Sequence, residues 1–267
     1  MRLQVRHSNP ISAPSRTTFQ RYPPHGCGLR SVTISSRLRS GSTKRLYHPH
    51  VIINFVLNLD PVTLISRLIT LVIALTVHEF SHAKVADAFG DTTPRRNGRV
   101  TLNPLAHLDP IGSLMMVFAG FGWAKPVPVN PFALGMRAPS AYMLVSLAGP
   151  LSNLMLAILA AVPLRLGLLQ PFAGTQAMSV LYTFTSQFIV LNLILAFFNL
   201  IPLAPLDGEK IAGFFFPPSW SDVLDRIRPY GPLILMVLLF GLPIVGIDVI
   251  GTLLYPPIRA VYQLLVG

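Results

Sequence analysis

Three polar residues with the spacing of a metal site stand at the end of a long apolar segment: His78, Glu79 and His82, within TVHEFSHAKVADAFG (76–90). On a helix, His-Glu-x-x-His places its two imidazoles one turn apart on one face, where both can bind a single tetrahedral Zn²⁺. The glutamate between them then lies close enough to polarise a water at the metal. The pattern predicts a zinc site with two histidine ligands and with Glu79 beside the metal-bound water.

The apolar surroundings give this otherwise common pattern its weight. The chain has only two glutamates, Glu79 and Glu209. Burying a charged side chain in a membrane-spanning segment costs about 3 kcal/mol or more. A His-Glu-x-x-His group without a function would carry that cost with no compensating gain, so we interpret it as functional rather than as a satisfied polar helix end.

The composition places the chain among membrane proteins. Of its 267 residues, 52% are hydrophobic and only 12% are charged, and the mean hydropathy is +0.57. The net charge of +11 comes largely from residues 1–50, which hold nine of the 21 Lys and Arg and no Asp or Glu. The remainder is nearly balanced and offers no basic face with interleaved aromatics, which argues against nucleic-acid binding.

Residues 1–50 differ in character from the rest of the chain. They are rich in Arg, Ser and Pro and contain no apolar stretch of signal-peptide length, so we expect a disordered basic arm without a catalytic role. Two alternatives stay open: an organelle transit peptide, and a start codon assigned upstream of the true one. Cys27, the only cysteine, lies in this arm, so a metal in the body must be held by His and carboxylate groups.

The hydrophobic segments predict an all-α polytopic membrane protein with about four to six membrane segments. The first helix should begin with Asp60 as N-cap and Pro61 as its first residue, and it should carry His78 to the far edge of the bilayer core. The last apolar stretch, interrupted at Gly241, Pro243, Pro256 and Pro257, is either one span and a broken helix or two short spans. Four other apolar segments are expected to be interfacial (51–59), re-entrant or interfacial (111–122), or spanning (140–164 and 178–206).

Two histidines leave a catalytic zinc one protein ligand short. The candidates for the third ligand are Asp207 in NLIPLAPLDG and His107 in NPLAHLDP, with Glu209 and Asp109 as weaker alternatives. Asp207 directly follows a span whose end contains two prolines, which would unwind the backbone near the membrane edge and let a carboxylate turn inward.

The order of the spans offers an independent check on Asp207. If the first span ends at His78 and the 111–122 segment returns to the same side, the next two spans bring Asp207 back to the side of His82. The short loops on that side hold eight basic residues and the opposite connection holds only Arg165, so the positive-inside rule directs the site to the cytoplasm or its equivalent. The basic arm would then lie on the other side, against the rule, unless it is cleaved or is not part of the natural protein. The eight residues are Arg95, Arg96, Arg99, Lys125, Arg137, Lys210, Arg226 and Arg228.

Three motifs occur in order on hydrophobic helices: His-Glu-x-x-His at 78–82, AGPLSN at 148–153 and FNLIPLAPLDG at 198–208. With them, the chain resembles the site-2 protease family of intramembrane zinc metalloproteases over roughly residues 60–208. The resemblance implies zinc bound by the two histidines and Asp207, with Glu79 as general base. Residues 51–267 would then form one intramembrane metalloprotease domain, a minimal form without room for a PDZ or CBS domain.

The resemblance also directs attention to two amides. Asn153, in GPLSN, is implied to lie near the site, where it could hold a substrate strand or stabilise an oxyanion; the alternative is a helix-packing hydrogen bond. Asn199 could act similarly, or could tie down the broken helix before Asp207. His107 stays a candidate ligand or outer-shell group, since a re-entrant segment could bring it close.

The expected substrates, from the resemblance, are membrane-anchored proteins cleaved within or near their transmembrane segments in regulated intramembrane proteolysis. The expected location is the bacterial cell membrane with the site towards the cytoplasm, with a plastid membrane as the alternative. A metal ion transporter and a catalytically inactive scaffold of the same family are the competing interpretations. A transporter would spread its ligands along a path, and a scaffold would not need an intact triplet. The sequence gives no indication of the oligomeric state.

Overall fold

The computed structural model describes residues 60–119, 122–170 and 174–267. The arm expected at 1–50 and the segment at 51–59 lie outside the described residues. Within the described residues the regular structure is helical, apart from one isolated β-bridge between Leu108 and Ala124. In chain order the α-helices are α1 (Pro61–Ala88), α2 (Thr93–Arg96), α3 (Pro110–Ala119), α4 (Pro131–Arg137), α5 (Ala141–Arg165), α6 (Gln176–Asn199), α7 (Asp207–Phe215), α8 (Pro218–Ile227), α9 (Gly231–Met236), α10 (Leu242–Ile244) and α11 (Val249–Val266).

Among the described residues, five helical stretches are long and apolar enough to cross a membrane. They are α1, α5, α6, α11 and the run Asp222–Ile244, which joins the end of α8 to α10. The prediction of an all-α polytopic membrane protein with four to six membrane segments is therefore confirmed.

The C-terminal part forms two spans, the second of the two predicted arrangements. The first contains a π-helical turn at Val237–Gly241, and the helix resumes at Leu242. The expected interruption at Pro256 and Pro257 is wrong, because both prolines lie inside α11. Spanning helices tolerate proline where local readjustment satisfies the freed carbonyl groups. The chain turns in the short connection between α10 and α11 and not at the two prolines.

The start of α1 follows the predicted capping pattern. The Asp60 carboxylate accepts hydrogen bonds from the N–H groups of Val62 (2.9 Å) and Thr63 (3.3 Å), and Pro61 is the first helical residue. These contacts satisfy two of the N–H groups that a helix start leaves unpaired.

The helices that carry the site approach one another along stripes of mostly small residues. In α1 and α5 the buried positions recur every four residues, so each stripe follows one face of its helix. Small side chains let membrane helices pack closely. The two helices pack antiparallel, and α6 packs against both. The stripe of α1 is Ser66, Thr70, Ala74, His78, His82 and Ala86; that of α5 is Ala141, Val145, Gly149, Asn153, Ala157 and Ala161.

The connection between α1 and α5 folds back on itself. Helix α3 has ten residues, too short to cross a bilayer, and its re-entrant or interfacial placement stays a prediction. The irregular stretch 123–130 after it is anchored by two hydrogen bonds, from Lys125 N–H to the His107 carbonyl (2.7 Å) and from Asn130 N–H to Asp91 Oδ2 (2.6 Å). Burial raises the pKa of Asp91, but hydrogen bonds from the Asn130 N–H and from the hydroxyl and N–H of Thr93 outweigh burial and hold that pKa below its usual range.

Candidate metal centre

Three side chains from two separate elements meet at one point between the helices. His78 and His82 come from the buried stripe of α1, and Asp207 is the first residue of α7. Asp207 Oδ2 lies 3.1 Å from Nε2 of each histidine, and the two imidazole rings stand nearly perpendicular with centroids 4.6 Å apart. Among the described residues these three form the one group of His, Cys, Asp or Glu side chains able to hold a metal ion.

The hydrogen bonds of the two histidines fix which ring nitrogen faces the centre. His78 Nδ1–H donates to Asn153 Oδ1 (2.7 Å), and His82 Nδ1–H donates to the Val145 carbonyl (2.7 Å). Both acceptors are oxygens that cannot donate, so the proton of each neutral imidazole belongs on Nδ1. The Nε2 lone pairs of both rings are thereby directed towards Asp207.

The chemistry of this donor set fits zinc. Two imidazole lone pairs and a carboxylate oxygen converge with no proton among them in the neutral tautomers, an arrangement that a metal cation or a proton on Nε2 relieves. Two nitrogens and one oxygen are a usual protein contribution to a catalytic zinc site. Zn²⁺ bonds of about 2.0–2.2 Å at tetrahedral angles separate ligand atoms by roughly 3.3 Å. The observed separations of 3.1 Å are close to that value.

Gly149 of α5 leaves the space in which the ligands meet. A Cβ added there would lie 2.4 Å from His82 Nε2 and 2.6 Å from His78 Nε2, closer than non-bonded atoms approach. The two histidine nitrogens therefore occupy the space that a side chain at position 149 would need, and α5 forms one wall of the centre. Only glycine fits at this position of AGPLSN.

A tight turn between α6 and α7 brings Asp207 to the histidines. Helix α6 ends at Asn199, not at 206, and the chain turns through a stretch that contains Pro202 and a cis peptide bond at Pro205. The predicted unwinding around the two prolines is confirmed. Burial raises the pKa of the Asp207 carboxyl, but the charge and hydrogen bonds of His82 and His78 in their protonated state outweigh burial and hold the pKa well below its usual range. Asp207 therefore offers an ionised oxygen to a cation at neutral pH.

Glu79 lies outside the ligand group, beside it on α1. Its side chain is half-buried, and Oε2 accepts a hydrogen bond from the Val127 N–H (3.2 Å) in the 123–130 stretch. One carboxylate oxygen is thus held by the backbone, and the carboxylate cannot rotate freely away from the ligands that flank it in sequence.

Asn153 is part of a buried amide pair that supports His78. Its Nδ2 donates to Oδ1 of Asn192 in α6 (3.0 Å) and to the backbone carbonyl of Ala74 in α1 (3.2 Å), while its Oδ1 accepts from His78. Asn153 and Asn192 are both fully buried. These contacts favour orientation of His78 and helix packing, and the expected support of a substrate or an oxyanion by Asn153 stays a prediction.

The remaining candidates make contacts elsewhere. His107 is fully buried and its Nε2–H donates to the Thr101 carbonyl (2.7 Å), Asp109 Oδ1 accepts from Gly112 N–H (2.8 Å), and Glu209 pairs with Arg228. None of the three belongs to the ligand group among the described residues. The side-chain amide of Asn199 donates to the Leu195 carbonyl of its own helix (3.0 Å), as an amide that stabilises the helix end would.

Comparison with known proteins gives relatives with one recurring description. The chain is 43% identical over 174 residues to "Putative zinc metalloprotease YwhC" of Bacillus subtilis, across 64% of this chain and 78% of that protein. It is 33% identical to Rip2 of Mycolicibacterium smegmatis and 31% identical to Rip2 of Mycobacterium tuberculosis, which carry the same description. The match covers 62% of this chain and 63% of each Rip2 protein. No family model and no solved structure gives a significant match.

Proposed function

The chain belongs to the zinc metalloprotease family represented by YwhC, and from that premise we propose that it hydrolyses peptide bonds within or beside the transmembrane segments of membrane-anchored proteins. One observation carries this proposal: three acceptor atoms converge at one point, and two of them, with Glu79 between them in sequence, lie on a helix long and apolar enough to span a membrane. Ligands placed there would act on a bond that lies at membrane depth.

The position of the centre along α1 supports such a substrate. His82 lies six residues before the end of α1 at Ala88, roughly 9 Å along the helix axis. Water can reach a site near the membrane edge more readily than one at the midplane. A substrate helix must unwind locally before cleavage, because its amides are shielded by their own hydrogen bonds.

The division of roles follows from the geometry. When bound, Zn²⁺ supplies Lewis acidity, which polarises the scissile carbonyl and acidifies a water. His78, His82 and Asp207 would hold the ion, with the Nδ1–H bonds of the histidines keeping both rings in the ligating tautomer. Glu79 would accept a proton from the attacking water and later deliver it to the leaving amine nitrogen.

The test is Glu79→Gln in purified full-length protein, with bound zinc and cleavage of a tagged single-span test protein measured in parallel. We expect zinc retained at about one per chain and cleavage reduced by a factor of 10² to 10⁴, the usual contribution of a general base. Asp87→Asn is the matched control, because Asp87 lies on the same helix and pairs only with Arg95 among the described residues. The control should retain both zinc and cleavage.

Two outcomes would count against the proposal. Cleavage by Glu79→Gln at the wild-type rate would remove the general base from the mechanism. Zinc flux across reconstituted vesicles, with no cleavage by the wild-type protein, would favour a metal transporter instead.

A further inference from the structure

Arg99 is a buried arginine whose contacts lead to Glu79. It lies between α2 and α3, only 5% exposed, and within the described residues it forms no ion pair with a carboxylate. Its guanidinium donates to three backbone carbonyls instead: Nη1 to Ala106 (2.6 Å) and Lys125 (3.1 Å), and Nη2 to Pro126 (3.3 Å). Arginine cannot shed its proton in a protein, so these carbonyls are what compensates its burial.

The three carbonyls belong to two segments of the same connection. Ala106 ends a short 3-10 helix before α3, while Lys125 and Pro126 follow α3 in the 123–130 stretch. Lys125 N–H also donates to the His107 carbonyl (2.7 Å), so the two segments are joined both by their backbones and by Arg99. The guanidinium acts as a clamp across the base of this loop.

The last carbonyl that Arg99 contacts, that of Pro126, directly precedes the N–H group that binds Glu79. Val127 follows Pro126, and its N–H donates to Glu79 Oε2 (3.2 Å). Val127 is flanked by Pro126 and Pro128, which have no N–H and restrict the backbone dihedral angles around it. The position of this one donor therefore depends on the carbonyls just before it, which Arg99 fixes.

We propose that Arg99 is a positioning residue for the general base: it holds the Lys125–Pro126 backbone so that Val127 N–H fixes Oε2 of Glu79 and leaves Oε1 for water. This inference rests on the proposed function, since it needs Glu79 to act as the base. A general base is effective only when its oxygen is held in reach of the proton it accepts. Loss of the clamp should therefore slow the chemical step without removing zinc or weakening substrate binding.

The experiment compares Arg99→Met and Arg99→Lys in the full-length, zinc-loaded protein. We expect Arg99→Met to bind about one zinc per chain and to keep KM within roughly twofold, while kcat falls by about 10-fold or more. Arg99→Lys should recover part of kcat, because an ammonium can still donate to one or two of the carbonyls. Arg96→Met, an exposed arginine three residues earlier, is the matched control and should leave kcat unchanged.

A second pair of variants tests the same link without touching Arg99. Val127→Pro removes the N–H that Glu79 accepts from, and Val127→Ala retains it. If Arg99→Met fails to fold, a 10-fold loss of kcat in Val127→Pro alone, with zinc retained, supports the proposal. Wild-type kcat in Val127→Pro overturns it.

The failures of the two proposals are distinguishable. Wild-type kcat in Arg99→Met together with an inactive Glu79→Gln overturns the role of Arg99 and leaves the proposed function standing. A loss of kcat in Arg99→Met that only parallels a loss of zinc also overturns it, because Arg99 would then support the metal centre. Wild-type cleavage by Glu79→Gln removes the proposed function and this inference together.

Discussion

The two histidines of the candidate metal centre are oriented by different kinds of acceptor. His82 relies on the backbone carbonyl of Val145, which no substitution removes, whereas His78 relies on the side chain of Asn153. A mutation can therefore disturb the tautomer of one ligand and leave the other in place. Outer-shell partners of metal-binding histidines typically change metal affinity by about 10- to 100-fold when they are replaced.

Asn153→Ala should accordingly raise the zinc Kd by about 10- to 100-fold, because His78 loses the acceptor that keeps its Nδ1 protonated. Asn192→Ala should have a smaller effect in the same direction, since it acts on His78 through Asn153. Zinc affinity measured by chelator competition checks both. Asn199→Ala is the control, because its side-chain amide bonds only within its own helix. An equal loss of zinc affinity in all three variants would contradict the idea that Asn192 and Asn153 act on the metal centre by orienting His78.

Gly149→Ala should abolish zinc binding or weaken it severely. The added methyl would lie 2.4 to 2.6 Å from the ligand nitrogens, in the space where the ligands meet, and the neighbouring atoms belong to rigid rings rather than to flexible chain ends. Zinc content after purification checks the expectation. The matched change Gly135→Ala, in α4, meets no atom within 4 Å and should leave zinc content unchanged. A zinc-loaded, active Gly149→Ala protein would show that α5 does not wall the centre.

At the scale of elements, the site depends on helices that meet along small-residue stripes. The ligands of α1 are members of its stripe, so the packing that buries Ala74 and Ala86 also directs His78 and His82 towards α5. The Leu-Asp-Gly turn then adds α7 from the end of α6. Gly208 lets this turn close, since a Cβ there would lie 2.3 Å from the carbonyl oxygens of Leu200 and Ile201.

Gly208→Ala should therefore displace the first turn of α7 and with it Asp207. We expect weaker zinc binding, with the two histidines still facing each other on α1. Gly213→Ala is the control within the same helix, because an added Cβ at Gly213 meets no atom within 4 Å. Chelator competition on the two variants compares them directly, and wild-type affinity in Gly208→Ala would show that the turn can adapt.

The parts of this site that could be predicted from sequence are the local ones. The His-Glu-x-x-His spacing, the Asp60 cap and the prolines before Asp207 each act within a few residues, so their consequences are visible in the chain itself. Arg99 and Asn192 could not be assigned in this way. Arg99 reaches Lys125, 26 residues away, as well as the nearer Ala106, and Asn192 reaches Asn153, 39 residues away; only the packing of the elements reveals these contacts.

At the scale of the whole molecule, composition predicts the class and the apolar segments predict four to six spans, because spanning a bilayer imposes length and apolarity on each helix. Composition does not predict where a helix ends. Pro150 and Pro163 lie inside α5 as Pro256 and Pro257 lie inside α11, whereas the prolines after Asn199 accompany a true turn. Whether a proline ends a helix therefore depends on packing: after Asn199, the backbone of Gly208 packs directly against the carbonyl groups at the end of α6.

Zinc should also contribute to the stability of the whole bundle, because its ligands join the first spanning helix to the turn beyond the third. An ion that binds only the folded state stabilises it by about 2.7 kcal/mol at 100 times its Kd. Removal of zinc should therefore lower the apparent Tm in detergent, and added zinc should restore it.

The tryptophan fluorescence of Trp123 and Trp220 provides a measurement of unfolding against free zinc concentration. Asp207→Ala is the matched variant. It loses the carboxylate ligand, so its apparent Tm should respond little to zinc, and it should not fall further when a chelator is added. If the wild-type Tm is insensitive to chelation while zinc is removed, the ion is not a structural link between α1 and α7, and its contribution is confined to the chemistry at Glu79.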